Sequence, residues 1–189
     1  MDVLTNVLAA FGLSGSAGLN AYLPLLIVAL AARFTNLMQL KAPWNTLENG
    51  WVILVLVILL GVEFFADKIP AVNHLNDAVQ TFIRPTAGAI LFAASTSVIG
   101  EIHPVVALIL GLLVAGGVHV AKSAVVRPVV TATTGGTANL VVSVVEDLIA
   151  AAVSILAVVL PVLISALIVL VTAFIIWWLW RRSARTARA

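Results

Sequence analysis

From Asn139 to Trp180 the chain runs 42 residues with only two charges, Glu146 and Asp147, and no glycine. As one helix this stretch is about 63 Å long, roughly twice the hydrocarbon core of a bilayer. It is too apolar for a soluble surface helix and too long for one span. The expectation is two spans, broken near Pro161, with Trp177, Trp178 and Trp180 at a membrane–water interface.

The rest of the chain agrees with that class. Only 10% of its 189 residues are charged and 62% are hydrophobic, with a mean hydropathy of +1.18; soluble domains carry about 25% charge. Residues 1–189 read as a single integral membrane domain, all-α, a polytopic bundle of about six spans. With no cysteine there is neither a disulfide framework nor a thiolate metal site. The pI near 9.5 does not point to nucleic acid. Four of the ten basic residues sit in a tail at 181–189, which reads as cytoplasmic, beside anionic headgroups. The start of the chain lacks a basic n-region, so its first apolar segment is expected to be retained.

In order, residues 3–34 read as one broken segment, interrupted at Gly15–Gly18, with Asn20 opening its second part. A loop at 35–50 precedes a span at 51–66. Residues 68–84 are amphipathic, with Ile69, Val72, Leu75, Val79, Phe82 and Ile83 at helical spacing, and are expected to lie in the interface until Arg84-Pro85 ends them. Spans at 85–99 and 104–121 follow, then an inner loop over 122–136. With both termini cytoplasmic, the inner side holds Lys68, Arg84, Lys122, Arg127 and the four tail arginines, against Arg33 and Lys41 outside. That bias supports a count of six spans.

Function has to come from the polar residues. Asn139, Ser143, Glu146 and Asp147 recur at i, i+4, i+7 and i+8, one helical face. Ionisable residues inside an apolar bundle are costly and tend to mark sites or paired networks. With Asn20, Glu63, Asp67 and His119 they form the expected ion- or solute-binding set, and Arg84, Lys122 and Arg127 the expected anion-binding or charge-pairing set. His119 with Glu63, Asp67 or Glu146 could hold a divalent metal; the metal is left unassigned and no cofactor is implied. No phosphate-loop, dinucleotide, hydrolase-elbow or zinc-protease motif occurs, and the three histidines fall in separate segments. LSGSAGLN at 13–20 echoes TTGGTAN at 133–139, and Arg84-Pro85 echoes Arg127-Pro128, which suggests an internal repeat with two interrupted helices whose breaks face a shared polar space.

GLNAYLPLL at 18–26, ADKIP at 66–70, QTFIRPTAGA at 80–89 and the KS..RP…TTGGTAN…S..ED pattern from Lys122 to Asp147 resemble a family of small bacterial integral membrane proteins, the domain of unknown function 4126. The resemblance implies a bacterial inner-membrane location and no established activity. Three functions are expected in order: a small transporter or channel for an ion or small polar solute, with its site in the cytoplasmic half; a non-transporting scaffold or accessory subunit; and a membrane-embedded lipid-modifying enzyme. The expected partners are the lipid bilayer, the ion or solute and, given the short glycine-rich spans, further copies of the chain.

Overall fold

The computed structural model describes residues 3–66, 70–97 and 102–186, and what it describes is helical, without strands. The helices are α1 (Val3–Leu19), α2 (Tyr22–Phe34), α3 (Gly50–Ala66), α4 (Pro70–Thr96), α5 (Pro104–Ala121), α6 (Arg127–Thr134) and α7 (Asn139–Thr186). A π-helical turn over Lys122–Val126 joins α5 to α6. Two stretches are long and apolar enough to cross a membrane, Pro104–Thr134 and Asn139–Leu160; α1, α2 and α3 are apolar but shorter.

At the centre lies α1. The interruption expected at Gly15–Gly18 is absent: these small residues lie inside α1 and let three helices approach. The Ser14 hydroxyl lies 2.9 Å from the carbonyls of both Gly88 on α4 and Gly111 on α5. A Cβ on Gly111 would stand 2.7 Å from Ala89 Cα and Phe92 Cβ, and one on Gly88 would stand 2.9 Å from the Gly111 carbonyl. Such close backbone contact is the mode of packing open to helices that cannot rely on burying apolar faces. On the opposite side Ser16 hydrogen-bonds Ser154 of α7 at 2.8 Å, and Gly12 faces Ala157.

The break in 3–34 falls at Asn20–Ala21. There the Asn20 side-chain oxygen accepts the Leu23 N–H at 2.9 Å, and Pro24 follows in the first turn of α2, where its missing donor costs nothing. The turn is a reversal. Tyr22 hydrogen-bonds Gln80, whereas Arg33 donates to the Glu48 carbonyl, and Trp44 packs against Ala10, Phe92, Ala93 and Ala107. The start of α1 and the loop after α2 therefore lie at one end of the bundle.

Three other expected boundaries are corrected. Residues 70–96 form one helix through Pro85, so 68–84 is not a separate interfacial helix; its described part is turned the other way, with Gln80 and Arg84 buried and Val79 and Phe82 exposed. The expected loop at 122–136 is helical to Thr134, and the turn waits for Gly135 and Gly136, whose φ of 61° and 87° only glycine adopts readily. Helix α7 passes through Pro161 unbroken. One crossing gained at the start and one lost at the end leave six runs through the bundle among the described residues: α1, α2, α3, α4, α5 with α6, and α7.

Glycines at these contacts should resist substitution. Gly88→Ala and Gly111→Ala are each expected to destabilise by about 1–3 kcal/mol through overpacking against backbone. Gly61→Ala on α3, whose Cβ would meet nothing within 4 Å, should be neutral or slightly stabilising. Thermal unfolding of the purified variants in detergent checks the contrast.

Candidate functional site

Residues near the end of α1 share one level with parts of α3, α4, α5 and α7, and there the charges meet. Arg84 of α4 is wholly buried and donates from Nη2 to Glu63 Oε1 of α3 at 3.0 Å, with Glu63 only 1% exposed. The other end nitrogen, Nη1, lies 3.3 Å from His119 Nδ1 on α5. A guanidinium has donors only, so Nδ1 accepts. His119 is then neutral, with its proton on Nε2, and donates to Thr81 Oγ1 at 3.1 Å. Arg84 thus sets both the charge and the tautomer of the histidine.

One turn along α5, Lys122 makes a second junction. Its ammonium lies 2.8 Å from Glu146 Oε2 on α7 and donates to the Leu19 carbonyl at 3.0 Å. The second contact satisfies one of the carbonyls left open where α1 ends and places positive charge at the negative end of that helix. Arg127 Nη2 approaches the same Glu146 oxygen, at 4.0 Å. Residues five apart do not share a face in an α-helix. They do across the π turn, in which Arg127 N–H bonds the Lys122 carbonyl. Pro128, which has no N–H to give Ala124 and whose ring crowds that carbonyl, is a local reason for the widened turn.

The third element is a hydrogen bond. Asn20 Nδ2 donates to Asp147 Oδ1 at 3.0 Å while its oxygen holds the start of α2. Asn20 is 1% exposed; Asp147 is half-buried and lines a cleft of about 440 Å³ between α3 and α7. The cleft walls are apolar, among them Leu60, Phe64, Val144 and Leu148.

Of the residues expected from sequence, the structure brings together Glu63, Arg84 and His119, then Lys122, Arg127 and Glu146, then Asn20 and Asp147. Ser143 is buried on α7 within one turn of Glu146. Asn139 stands apart: it lies eight residues, about 12 Å, before Asp147 along α7 and donates to Thr131 Oγ1 at 3.0 Å. Asn20 pairs with Asp147 and not with the second break. Asp67 lies outside the described residues. Sequence reasoning missed Tyr22, Gln80, Thr81 and the Leu19 carbonyl. Gln80 and Arg84, four apart and so on one face of the helix, were the available signal for the first three. Among the described residues no group of three His, Asp or Glu side chains converges as a metal site.

A family model, the domain of unknown function DUF4126, matches residues 7–182. Neither a curated protein nor a solved structure matches the chain.

The Glu63–Arg84 pair should behave as one unit. Arg84→Met or Glu63→Leu alone is expected to cost about 3–5 kcal/mol, because each leaves its partner's charge stranded. The double variant should cost less than the sum of the two single losses. A double-mutant cycle on unfolding stability checks this, and strictly additive losses would exclude coupling.

Proposed function

The chain belongs to the DUF4126 family, and from that premise we propose that it is a multi-pass protein of the bacterial inner membrane that takes up a small ion or polar-headed solute where Asn20 and Asp147 border the cleft. The observation that supports this is a division of labour within the polar layer. Glu63, Arg84, Lys122 and Glu146 are all but fully buried in cross-helix ion pairs. Asp147 is the charged residue that reaches the cleft wall, on the far side of Asn20.

A membrane setting fits the surface. Leu54, Ile58, Leu113, Val145 and Leu148 are exposed, while Arg84, His119 and Lys122 are inside. Lipid accepts the first group and excludes the second. For orientation, Arg33, Lys41, Arg181, Arg182 and Arg185 gather toward the end that carries the start of α1, because α7 runs antiparallel to α1 and continues past it. At the other end Arg84, Lys122 and Arg127 all stand beside acids of the layer. The positive-inside rule then makes the first end cytoplasmic, with both termini, and sets the polar layer in the outer half. The expectation of a layer in the cytoplasmic half depended on a break at Pro161. A homo-oligomer belongs to this reading too, since Leu163, Leu170 and Phe174 on the far part of α7 are exposed.

A second reading, a non-transporting scaffold, is favoured by the same layer, whose ion pairs join α3 to α4 and the end of α5 to α7 while Lys122 also hydrogen-bonds the last turn of α1. Liposomes separate the two. Purified protein, placed under an imposed membrane potential with a pH dye inside and monovalent cations outside, is expected to pass cations or protons faster than empty liposomes, and Asp147→Asn is expected to abolish the difference. Silent liposomes would favour the scaffold.

Orientation has its own check, because the chain contains no cysteine. Lys41→Cys should be shielded from an impermeant maleimide in intact cells and Thr133→Cys labelled. The reverse pattern would overturn the assignment.

A further inference from the structure

We propose that the far half of α7 pairs, in parallel, with the same stretch of a second copy of this chain, along a leucine seam from Leu156 to Trp177. The pairing gives a geometry to the homo-oligomer of the reading above. It rests on that reading only for the shared orientation of the two copies, and not on the cleft at Asp147.

The first observation lies in the sequence of α7. All five leucines between Ser154 and Trp178 are Leu156, Leu160, Leu163, Leu167 and Leu170, at alternating steps of four and three residues, and Phe174 and Trp177 extend the series. That is the a and d spacing of a heptad, kept over about three heptads. The two hydroxyl residues in the same range, Ser165 and Thr172, lie seven apart and, by register, opposite the leucine stripe. Lipid gives a helix no reason to set leucine apart from valine and isoleucine. A repeat of 3.5 residues suits a second helix supercoiled beside it.

The structure leaves this stripe open. Leu156, Leu160, Leu163, Leu170, Phe174 and Trp177 are all exposed, whereas Ala150, Ser154, Ala157 and Val158 are buried on the side that meets α1. Where the stripe begins, Leu156 and Leu160 wall a groove of about 200 Å³ against Leu8 and Gly12 of α1, which leaves room beside them for a neighbouring helix. Where it ends, Arg181, next in the series, stacks on Trp177 of its own chain at 5.1 Å and closes the seam with a charge. Helix α7 has 48 residues, so it is about 72 Å long, more than twice the hydrocarbon core. Its far half therefore leaves the lipid, and there an open row of leucines drives association. Six large apolar side chains on each of two copies offer roughly 1,000 Å², the size at which an interface becomes stable.

The partner is the same chain because the stripe is complementary to itself. No charge occurs between Asp147 and Arg181, so the flanks carry none of the ion pairs by which coiled coils select a different partner. Copies in one membrane share an orientation, and a two-fold axis along the membrane normal sets their α7 helices parallel and in register.

The test uses the full chain, which has no cysteine of its own, in liposomes at a low protein-to-lipid ratio. On oxidation with copper phenanthroline, Leu163→Cys and Leu170→Cys should form disulfide-linked dimers at least fivefold faster than Ser165→Cys and Thr172→Cys. Energy transfer between donor and acceptor copies labelled at Lys41→Cys should fall on lipid dilution. The double variant Leu163→Ala/Leu170→Ala should lose half of it at tenfold less lipid or lower, and Ser165→Ala/Thr172→Ala should match the parent. Linking that is equal at all four positions, faster at 165 and 172, or absent, as a lipid or a different protein on the stripe would leave it, would overturn the proposal. So would unchanged energy transfer in the leucine double variant. Both readouts are independent of flux. Silent liposomes refute uptake and leave the seam standing, and position-independent linking refutes the seam and leaves uptake standing.

Discussion

Arg84 is completely buried. A guanidinium in that position obliges its surroundings to supply acceptors, and the supply comes from two other helices: Glu63 on α3 and His119 on α5. On α3 the pair adds a polar anchor to an apolar face: Leu56 is buried in the core and Val52, Ile53, Leu59 and Leu60 pack against it. Lys122 imposes the same demand from the π turn that follows α5, drawing Glu146 from α7 and the last turn of α1 to one ammonium. Buried pairs of this kind add little net stability over apolar replacements, but losing one member is severe. They specify which helices meet, and at what level, more than how strongly they hold.

Much of the fold could be read from the sequence, for reasons that also explain where the reading failed. Long unbroken apolar runs identify an all-helical chain, because in lipid only helices and closed barrels satisfy the backbone and barrel strands alternate apolar with polar residues. Boundaries were harder, since the usual punctuation has a second use here. Gly15 and Gly18 look like breakers, but they lie inside α1, and Gly18 serves close packing against Ala115 and Val118. Pro85, Pro128 and Pro161 look like stops, yet helix continues past each. At Pro128 the cost of the missing donor is absorbed in a π turn that also aligns Lys122 with Arg127. The real reversal, at Asn20–Ala21, has a weaker signature: an asparagine cap and a proline four residues on.

The site was legible as a set of residues and not as an arrangement. Spacing on α7 placed Asn139, Ser143, Glu146 and Asp147 on one stripe. A stripe suggests one shared destination, but Glu146 and Asp147 are neighbours about 100° apart on the helix. That angle is enough to send Glu146 to Lys122 on α5 and Asp147 to Asn20 at the end of α1. The internal echo between the two asparagines pointed at each other's break; in the fold one asparagine meets an acid and the other a threonine of α6, across the glycine turn. No periodicity argument on a single helix contains the direction of its neighbours.

Helix α4 shows why orientation itself could mislead. Its apolar stripe reads as the face to be hidden, a rule drawn from water. Here Val79 and Phe82 face outward while Gln80 and Arg84 face in. In lipid an apolar face gains nothing by being covered, whereas an uncovered guanidinium loses a great deal, so the polar side decides which way the helix turns. Small residues then determine how closely helices pack. Gly88 and Gly111 are glycine because neighbouring backbone fills the space, and Gly61 is glycine where nothing does. In a bundle held by pairing and close approach, a gap beside the ion-paired layer is not closed by apolar collapse as it would be in a soluble core. A small residue at such a gap leaves open a volume that a single larger side chain would fill.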